Sequence, residues 1–134
     1  MILTYRFKLA PTKAQYAALE RLLELQRQLY NACLQERCDA WSKSGISISK
    51  IDQNKSLTQI RSFDETYAAV PVAMSRWSIA RVDDAFKGFF SRVKRGDKPG
   101  FPRFKGRSRW RSFGFVEWDG IRLKADKLVF RGLV

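Results

Sequence analysis

The chain has no histidine and only two cysteines, Cys33 and Cys38, among its 134 residues. Without histidine, neither Ser-His nor Cys-His nucleophilic catalysis is possible. Two cysteines cannot supply the four ligands of a zinc site. Because the two thiols lie about 140° apart around a predicted helix, we expect them to be reduced, in a cytoplasmic protein.

Acidic residues are scarce, 13 against 26 basic ones, and long apolar runs are missing. No run approaches the length of a membrane span, and the first residues do not form a signal peptide. No pair of carboxylates is spaced to clamp a metal, and no phosphate-binding glycine loop is present. We therefore expect no catalytic centre, no cofactor and no membrane partner, and an excess of positive charge that favours nucleic acid.

The positive charge is concentrated in residues 87–111. This segment holds ten Lys or Arg residues and one acid, Asp97, for +9 of the net charge of +13. Large aromatic residues are interleaved with the cations, namely Phe89, Phe90, Phe101, Phe104 and Trp110. Cations meet phosphates and flat rings stack on bases, so the segment predicts a nucleic-acid surface. The alternative is a solvated linker whose aromatics belong to the core.

Within this segment, residues 98–111 form what we call the basic strip. Pro99 and Pro102 stiffen its backbone and Gly100 permits close approach of a ligand. Phe89 and Phe90 fit the preceding helix better than a base platform. The candidate nucleic-acid-binding residues of the strip are Lys98, Phe101, Arg103, Phe104, Lys105, Arg107, Arg109, Trp110 and Arg111.

Hydrophobic periodicity predicts a strand, then helices, then strands. Residues 3–9 alternate as a half-buried strand does, and Thr12 with Gln15 has capping-box spacing at the start of a long helix that stops at Ser44-Gly45. A short helix around Leu57 and a helix from Pro71 to Gly96 follow. The remaining predicted features are a strand at Phe113 and Phe115, a hairpin turn at Asp119-Gly120, and strands at Ile121–Leu123 and Leu128–Phe130.

Three features in this order resemble the N-terminal part of the TnpB (OrfB-type) proteins of insertion sequences, relatives of type V CRISPR nucleases. They are the opening strand with Pro11-Thr12-x-x-Gln15, the Leu29-Tyr30-Asn31 position on the first helix, and Gly100-Phe101-Pro102-Arg103-Phe104-Lys105 followed by Phe113. The resemblance adds Tyr30 and Asn31 to the candidate nucleic-acid-binding residues.

The resemblance implies an α+β fold, with a wedge-type small β-barrel that is incomplete here and an inserted helical recognition bundle. Residues 1–10 and 97–134 would form the wedge, and residues 11–96 the helix-turn-helix-like recognition domain. The partners implied are guide RNA and double-stranded DNA. The family's RuvC-like acids and zinc ribbon match no position here, so we expect a truncated, non-catalytic chain, with a nuclease half supplied in trans as one arrangement.

The function expected is therefore the nucleic-acid-binding portion of an RNA-guided DNA endonuclease. An alternative is a stand-alone DNA-binding regulator or transposase accessory that uses no guide RNA. A helix-turn-helix normally has a turn of three or four residues, and residues 42–56 look long for one. The third reading is an inert product of a broken mobile element, whose open sheet edges would favour aggregation.

Overall fold

A computed structural model of the chain describes residues 2–130, and the structural statements below refer to that part. It is a mixed α+β structure in which helices precede a small sheet, as predicted. The elements are α1 Lys13–Ser44, α2 Lys50–Phe63, α3 Glu65–Ala68, α4 Val72–Arg95, a 3₁₀ turn Arg107–Arg109, β1 Ile121–Lys124 and β2 Lys127–Phe130.

The long helices begin and end at the signals that the sequence carries. The Thr12 side chain accepts from the Gln15 N–H and the Gln15 side chain accepts from the Thr12 N–H, which confirms the predicted capping box of α1. The helix ends at Gly45, whose φ of 64° suits glycine. Ser49 and Asp52 form a second capping box at the start of α2.

The apolar core lies between α1, α2 and α4. Its main cluster joins one stripe from each helix with one side chain of the basic strip: Leu29, Tyr30, Cys33, Leu34, Leu57, Ile79, Val82 and Trp110. A second cluster, Leu22, Val70 and Met74, is covered by Phe113, Phe115 and Phe130. The sheet is thus docked on the helices by aromatic rings rather than by strand pairing.

A buried polar network fixes how the three long helices face each other. Arg37 donates from Nε to Gln53 Oε1 at 2.9 Å and from its guanidinium to Asp83 Oδ1 at 3.3 Å. Gln53 in turn donates to the carbonyl of Cys33 at 2.9 Å. Arg37 of α1 is therefore held by Asp83, which α4 brings to the guanidinium.

The predicted strand at residues 3–9 is not formed. Leu3, Tyr5, Phe7 and Leu9 lie in irregular chain with 59–80% of their surface exposed. Alternation expresses only a preference for one buried face, and a strand also needs a neighbour with which to exchange hydrogen bonds. Among residues 2–130 no such neighbour pairs with this segment.

The hairpin predicted around Asp119-Gly120 is not formed, but the two strands predicted after that turn do pair with each other. β1 pairs antiparallel with β2 so that Lys124 faces Lys127, which puts Ala125 and Asp126 in the turn. Asp119-Gly120 lies before β1, where Gly120 packs so closely on Pro71 that a Cβ would lie 2.8 Å from the proline ring. A close approach of this kind explains the glycine as well as a turn does.

The strand predicted at Phe113 and Phe115 is also wrong. Both rings pack edge-on against Phe130, with centroids 6.1 and 5.6 Å away. Their alternation therefore reflects burial against the helices and the hairpin, without a ladder partner. The described part of the chain contains one two-stranded sheet, so the wedge barrel and the division into domains remain predictions.

Candidate nucleic-acid interface

The basic strip leaves α4 at Gly96 and folds back along the helical block. Gly96 has a φ of 80°, which ends the helix and reverses the chain. Arg92, in the last turn of α4, then donates to the carbonyls of Pro99 at 2.8 Å and Gly100 at 3.3 Å. The first part of the strip is therefore tied to the helix that it has just left.

Asn31 on α1 holds the middle of the strip. Its side-chain amide donates to the Lys105 carbonyl at 2.9 Å, and its side-chain oxygen accepts from the Lys105 N–H at 2.8 Å. Arg27, one turn earlier on α1, donates to the same carbonyl at 3.0 Å. A side-chain amide that pairs with both the N–H and the carbonyl of one residue satisfies backbone that has no strand partner. This explains an asparagine in mid-helix, where it is otherwise unfavourable.

Trp110 anchors the end of the strip in the core. The indole is 7% exposed and Tyr30, its neighbour on α1, is 3% exposed, with ring centroids 4.9 Å apart. Burial raises the pKa of the Tyr30 hydroxyl above its ordinary value. Neither ring offers a free face to a base in this conformation, so their contact with nucleic acid stays a prediction and their visible role is packing.

The indole N–H of Trp110 is buried without a hydrogen-bond partner in the part of the chain that the structure describes. An unpaired buried donor costs about 1–3 kcal/mol. The anchor is therefore polar at one edge and apolar over its faces.

Phe101 and Phe104 are the rings of the strip that reach solvent, each about half exposed. Phe101 meets Phe86 and Phe89 of α4 edge-on, with centroids 5.7 and 5.2 Å away. These edge contacts support Phe101 from below while part of the ring stays open. Stacking on a base is thus sterically available to both strip phenylalanines.

Two cations of the strip are paired with carboxylates of α1. Arg111 lies 3.2 Å from Glu20, and Arg107 lies 3.7 Å from Glu24. Hydrogen bonding from Arg27, together with the nearby positive charges, lowers the pKa of Glu24 to about 2, so this carboxylate stays ionised at neutral pH.

The other cations of the strip have no carboxylate within ion-pair distance among residues 2–130. They are Lys98, Arg103, Lys105 and Arg109. Lys105 is partly buried and the other three are exposed. The strip thus presents four uncompensated charges on a backbone fixed at both ends and in the middle.

A cleft of about 310 Å³ opens between α4 and the end of the strip. Tyr30, Trp77 and Trp110 contribute aromatic surface to its lining, while Arg81 and Asp84 contribute charged groups. Arg81 lies over the Trp77 ring, 5.5 Å from its centroid. The strip adds its own cations at this cleft, so aromatic and cationic groups meet there.

Sequence reasoning named Asn31 only as a contact with nucleic acid, through the resemblance, and missed the other α1 residues that hold the strip. Glu20, Glu24, Arg27 and Asn31 recur at intervals of four, three and four, and therefore lie on one face of the helix. A polar stripe of this kind beside an apolar one was the signal available. It was overlooked because polar helix faces are usually solvated.

No group of three or more His, Cys, Asp or Glu side chains in the described ranges is arranged to hold a metal ion. In the same residues, no helix has the length and apolar character that crossing a membrane would require.

A fixed cationic strip on a helical block is the kind of surface that nucleic-acid-binding domains present, and comparison with known proteins agrees with that class. Residues 1–45 match the helix-turn-helix domain of the OrfB proteins of IS605-type elements. A protein of Streptomyces pristinaespiralis, whose assigned name is that of an RNA-guided DNA endonuclease, is 25% identical over 113 residues. That alignment covers 81% of this chain and 26% of the relative, so the chain spans about a quarter of the relative's length.

These findings agree with the resemblance to the N-terminal region of TnpB (OrfB-type) insertion-sequence proteins: the helix-turn-helix match covers residues 1–45, and the similarity to the Streptomyces protein extends over most of the chain. A helix-turn-helix domain is a DNA-binding class of domain. Within the matched range, however, residues 13–44 form one continuous helix, and the first connection between helices comes at residues 45–49. That connection is shorter than the sequence suggested, yet still longer than the usual turn of the motif.

Proposed function

We propose that the chain binds nucleic-acid backbones through the basic strip, as the RNA- and DNA-holding portion of an RNA-guided endonuclease. Guide RNA and double-stranded target DNA are the partners in this proposal. One observation carries it. Four strip cations, Lys98, Arg103, Lys105 and Arg109, have no carboxylate within ion-pair distance among residues 2–130 and sit on a backbone that other residues hold in place.

The rigidity of the strip matters because binding a flexible chain costs conformational entropy. Arg92, Asn31 and Trp110 fix the strip near its start, middle and end before any ligand arrives. Less freedom is then lost on association, and each cation retains more of its attraction for phosphate. Contacts with phosphate do not depend on sequence, as expected of a protein in which base pairing reads the target.

The same proposal assigns residues 11–96 to a recognition domain and residues 1–10 with 97–134 to a wedge domain. Two features support it: α1, α2 and α4 share one core, and the 3–9 segment exposes apolar side chains at strand spacing. Such a segment would gain from pairing with a strand edge. Cleavage is not part of the proposal, since the chain matches about a quarter of the relative.

The proposal is tested first by purifying the chain from its host and sequencing the RNA that accompanies it. A single discrete RNA species is expected. Heterogeneous RNA, or none, would contradict guide binding. The purified protein is then titrated with that RNA over a series of salt concentrations, to measure how the logarithm of affinity varies with the logarithm of salt.

Replacing the four unpaired strip cations with alanine should reduce the slope of that plot by about 3, since each phosphate contact contributes about 0.7–0.9. A matched variant removes four cations outside the strip and should change the slope far less: Lys13, Lys43, Lys50 and Lys55 to alanine. Equal slopes for the two variants would show that binding follows total charge, and that the strip is not the site.

The match to a helix-turn-helix domain favours a second candidate function, a stand-alone binder of duplex DNA. It predicts that nuclease-treated protein selects particular sequences from a random duplex library. The first candidate predicts little selection among duplexes and tighter binding of structured RNA.

A further inference from the structure

The cleft between α4 and the end of the strip combines three kinds of group that together fit one nucleotide. Its volume, about 310 Å³, is at the small end of the range for small-molecule sites. Its floor is aromatic, because Tyr30 and Trp110 are both buried beneath it. The groups above the floor are charged, and of those the inference uses, Arg81, Asp84 and Arg109 are exposed while Lys105 is partly buried.

Arg81 provides a flat surface in this cleft. Its guanidinium lies over the Trp77 ring at 5.5 Å, which orients the planar group, and the residue is exposed and lines the cleft. Bases stack on arginine planes as well as on aromatic rings. Part of the Trp77 indole is covered and cannot stack on a base, because the backbone at Gly114 is so close that a Cβ there would lie 2.5 Å from the ring.

Lys105 and Arg109 bring positive charge to the same cleft, and neither has an acidic partner among residues 2–130. They suit a phosphate. Asp84 also lines the cleft, is exposed, and forms no ion pair within the described residues. A carboxylate left unpaired beside cations is an acceptor that remains available for an N–H donor of a ligand.

We propose that this cleft binds a single unstacked nucleotide, with its phosphate at Lys105 and Arg109, its base stacked on Arg81, and an exocyclic amino group of the base donating to Asp84. The site therefore favours cytosine, adenine or guanine over uracil and thymine, which lack that amino group and whose N3–H donor is flanked by two carbonyl oxygens that the carboxylate would repel. The inference rests on the proposed function but is narrower, since strip binding to a backbone requires no pocket for a base.

The test uses the unmodified chain with CMP and UMP, which share a sugar and a phosphate and differ in the amino or oxo group on the base. Binding is followed by the indole N–H signals of the tryptophans in a ¹⁵N-labelled sample. CMP should shift the signals of Trp77 and Trp110 but not that of Trp41, which is 67% exposed and does not line the cleft. CMP should bind about tenfold more tightly than UMP.

Two substitutions assign the effect to residues. Asp84→Ala should abolish the preference for CMP over UMP, and Arg81→Gln should lower the affinity for both nucleotides about tenfold. Their matched controls are Asp97→Ala and Arg95→Gln, an exposed ion pair that does not line the cleft, and these should change neither value.

Equal affinity for CMP and UMP, or no shift of Trp77 and Trp110 at millimolar CMP, would overturn the inference. Neither result depends on a variant that must fold. If long RNA still binds with the expected salt dependence, only the nucleotide site in the cleft is refuted and the proposed function stands. If long RNA also fails to bind, both fail.

Discussion

Glu20 of α1 restrains one of the cations that the strip would otherwise offer to phosphate. Arg111 lies 3.2 Å from this carboxylate, and the two side chains are 59% and 39% exposed. An exposed pair of this kind contributes about 0–1 kcal/mol to stability. Glu20→Gln should therefore leave the fold nearly unchanged while releasing a full positive charge at the end of the strip.

The size of the effect follows from the number of charges. If Arg111 becomes one additional phosphate contact, the slope of log affinity against log salt steepens by about 0.7–0.9. Between 200 and 50 mM salt, the affinity of the variant should consequently rise about threefold more than that of the unmodified protein.

The assay is fluorescence anisotropy of a labelled RNA, with the salt concentration varied at constant pH. Asp39→Asn is the matched control, because it removes one negative charge from α1 at the ion pair with Lys43 and leaves the strip untouched. The reasoning is refuted if Glu20→Gln leaves the slope unchanged, or if the control steepens it equally.

Two further predictions concern α1. Asn31→Ala removes both hydrogen bonds to Lys105, so the free energy of unfolding, measured by urea titration, should fall by about 1–3 kcal/mol. RNA affinity should fall as well. The exposed control Gln35→Ala should change RNA affinity little. Unaltered affinity would show that the strip does not need this attachment. The pKa of Glu24 is lowered to about 2 in the folded chain, so its contribution to stability is present above about pH 4.5 and is lost as the pH falls towards 2. In acid unfolding experiments, the Glu24→Gln variant should lose less stability than the unmodified chain as the pH falls from about 4.5 towards 2. Identical curves for the two proteins would contradict this prediction.

Elements whose signals are local were predicted well. The capping box at Thr12 and Gln15 and the stop at Gly45 depend on groups within a few residues, and both are present as expected. The strands at Ile121–Lys124 and Lys127–Phe130 were also predicted, whereas the hairpin turn predicted at Asp119-Gly120 is not formed. The sequence misplaced that turn because a glycine serves a close contact, here with Pro71, as readily as a turn.

The failures concern partners that are distant along the chain. Residues 3–9 carry a strand pattern, but alternation cannot supply the neighbour that a strand requires. Trp110 was a candidate for base stacking because cations flank it, and only packing against Tyr30, eighty positions earlier, revealed a core anchor. Charged neighbours in the sequence do not show whether a ring is buried once the chain is folded.

By itself, the sequence determined the composition of the basic strip, the positions of the long helices and the resemblance to TnpB proteins, because charge, capping and helical period are local properties. Tertiary structure decided which strip cations remain uncompensated and which rings are buried. It also decided that Asn31 holds the strip. Each of these depends on α1 and the strip meeting across more than seventy residues of chain, a proximity that only the packed core of α1, α2 and α4 creates.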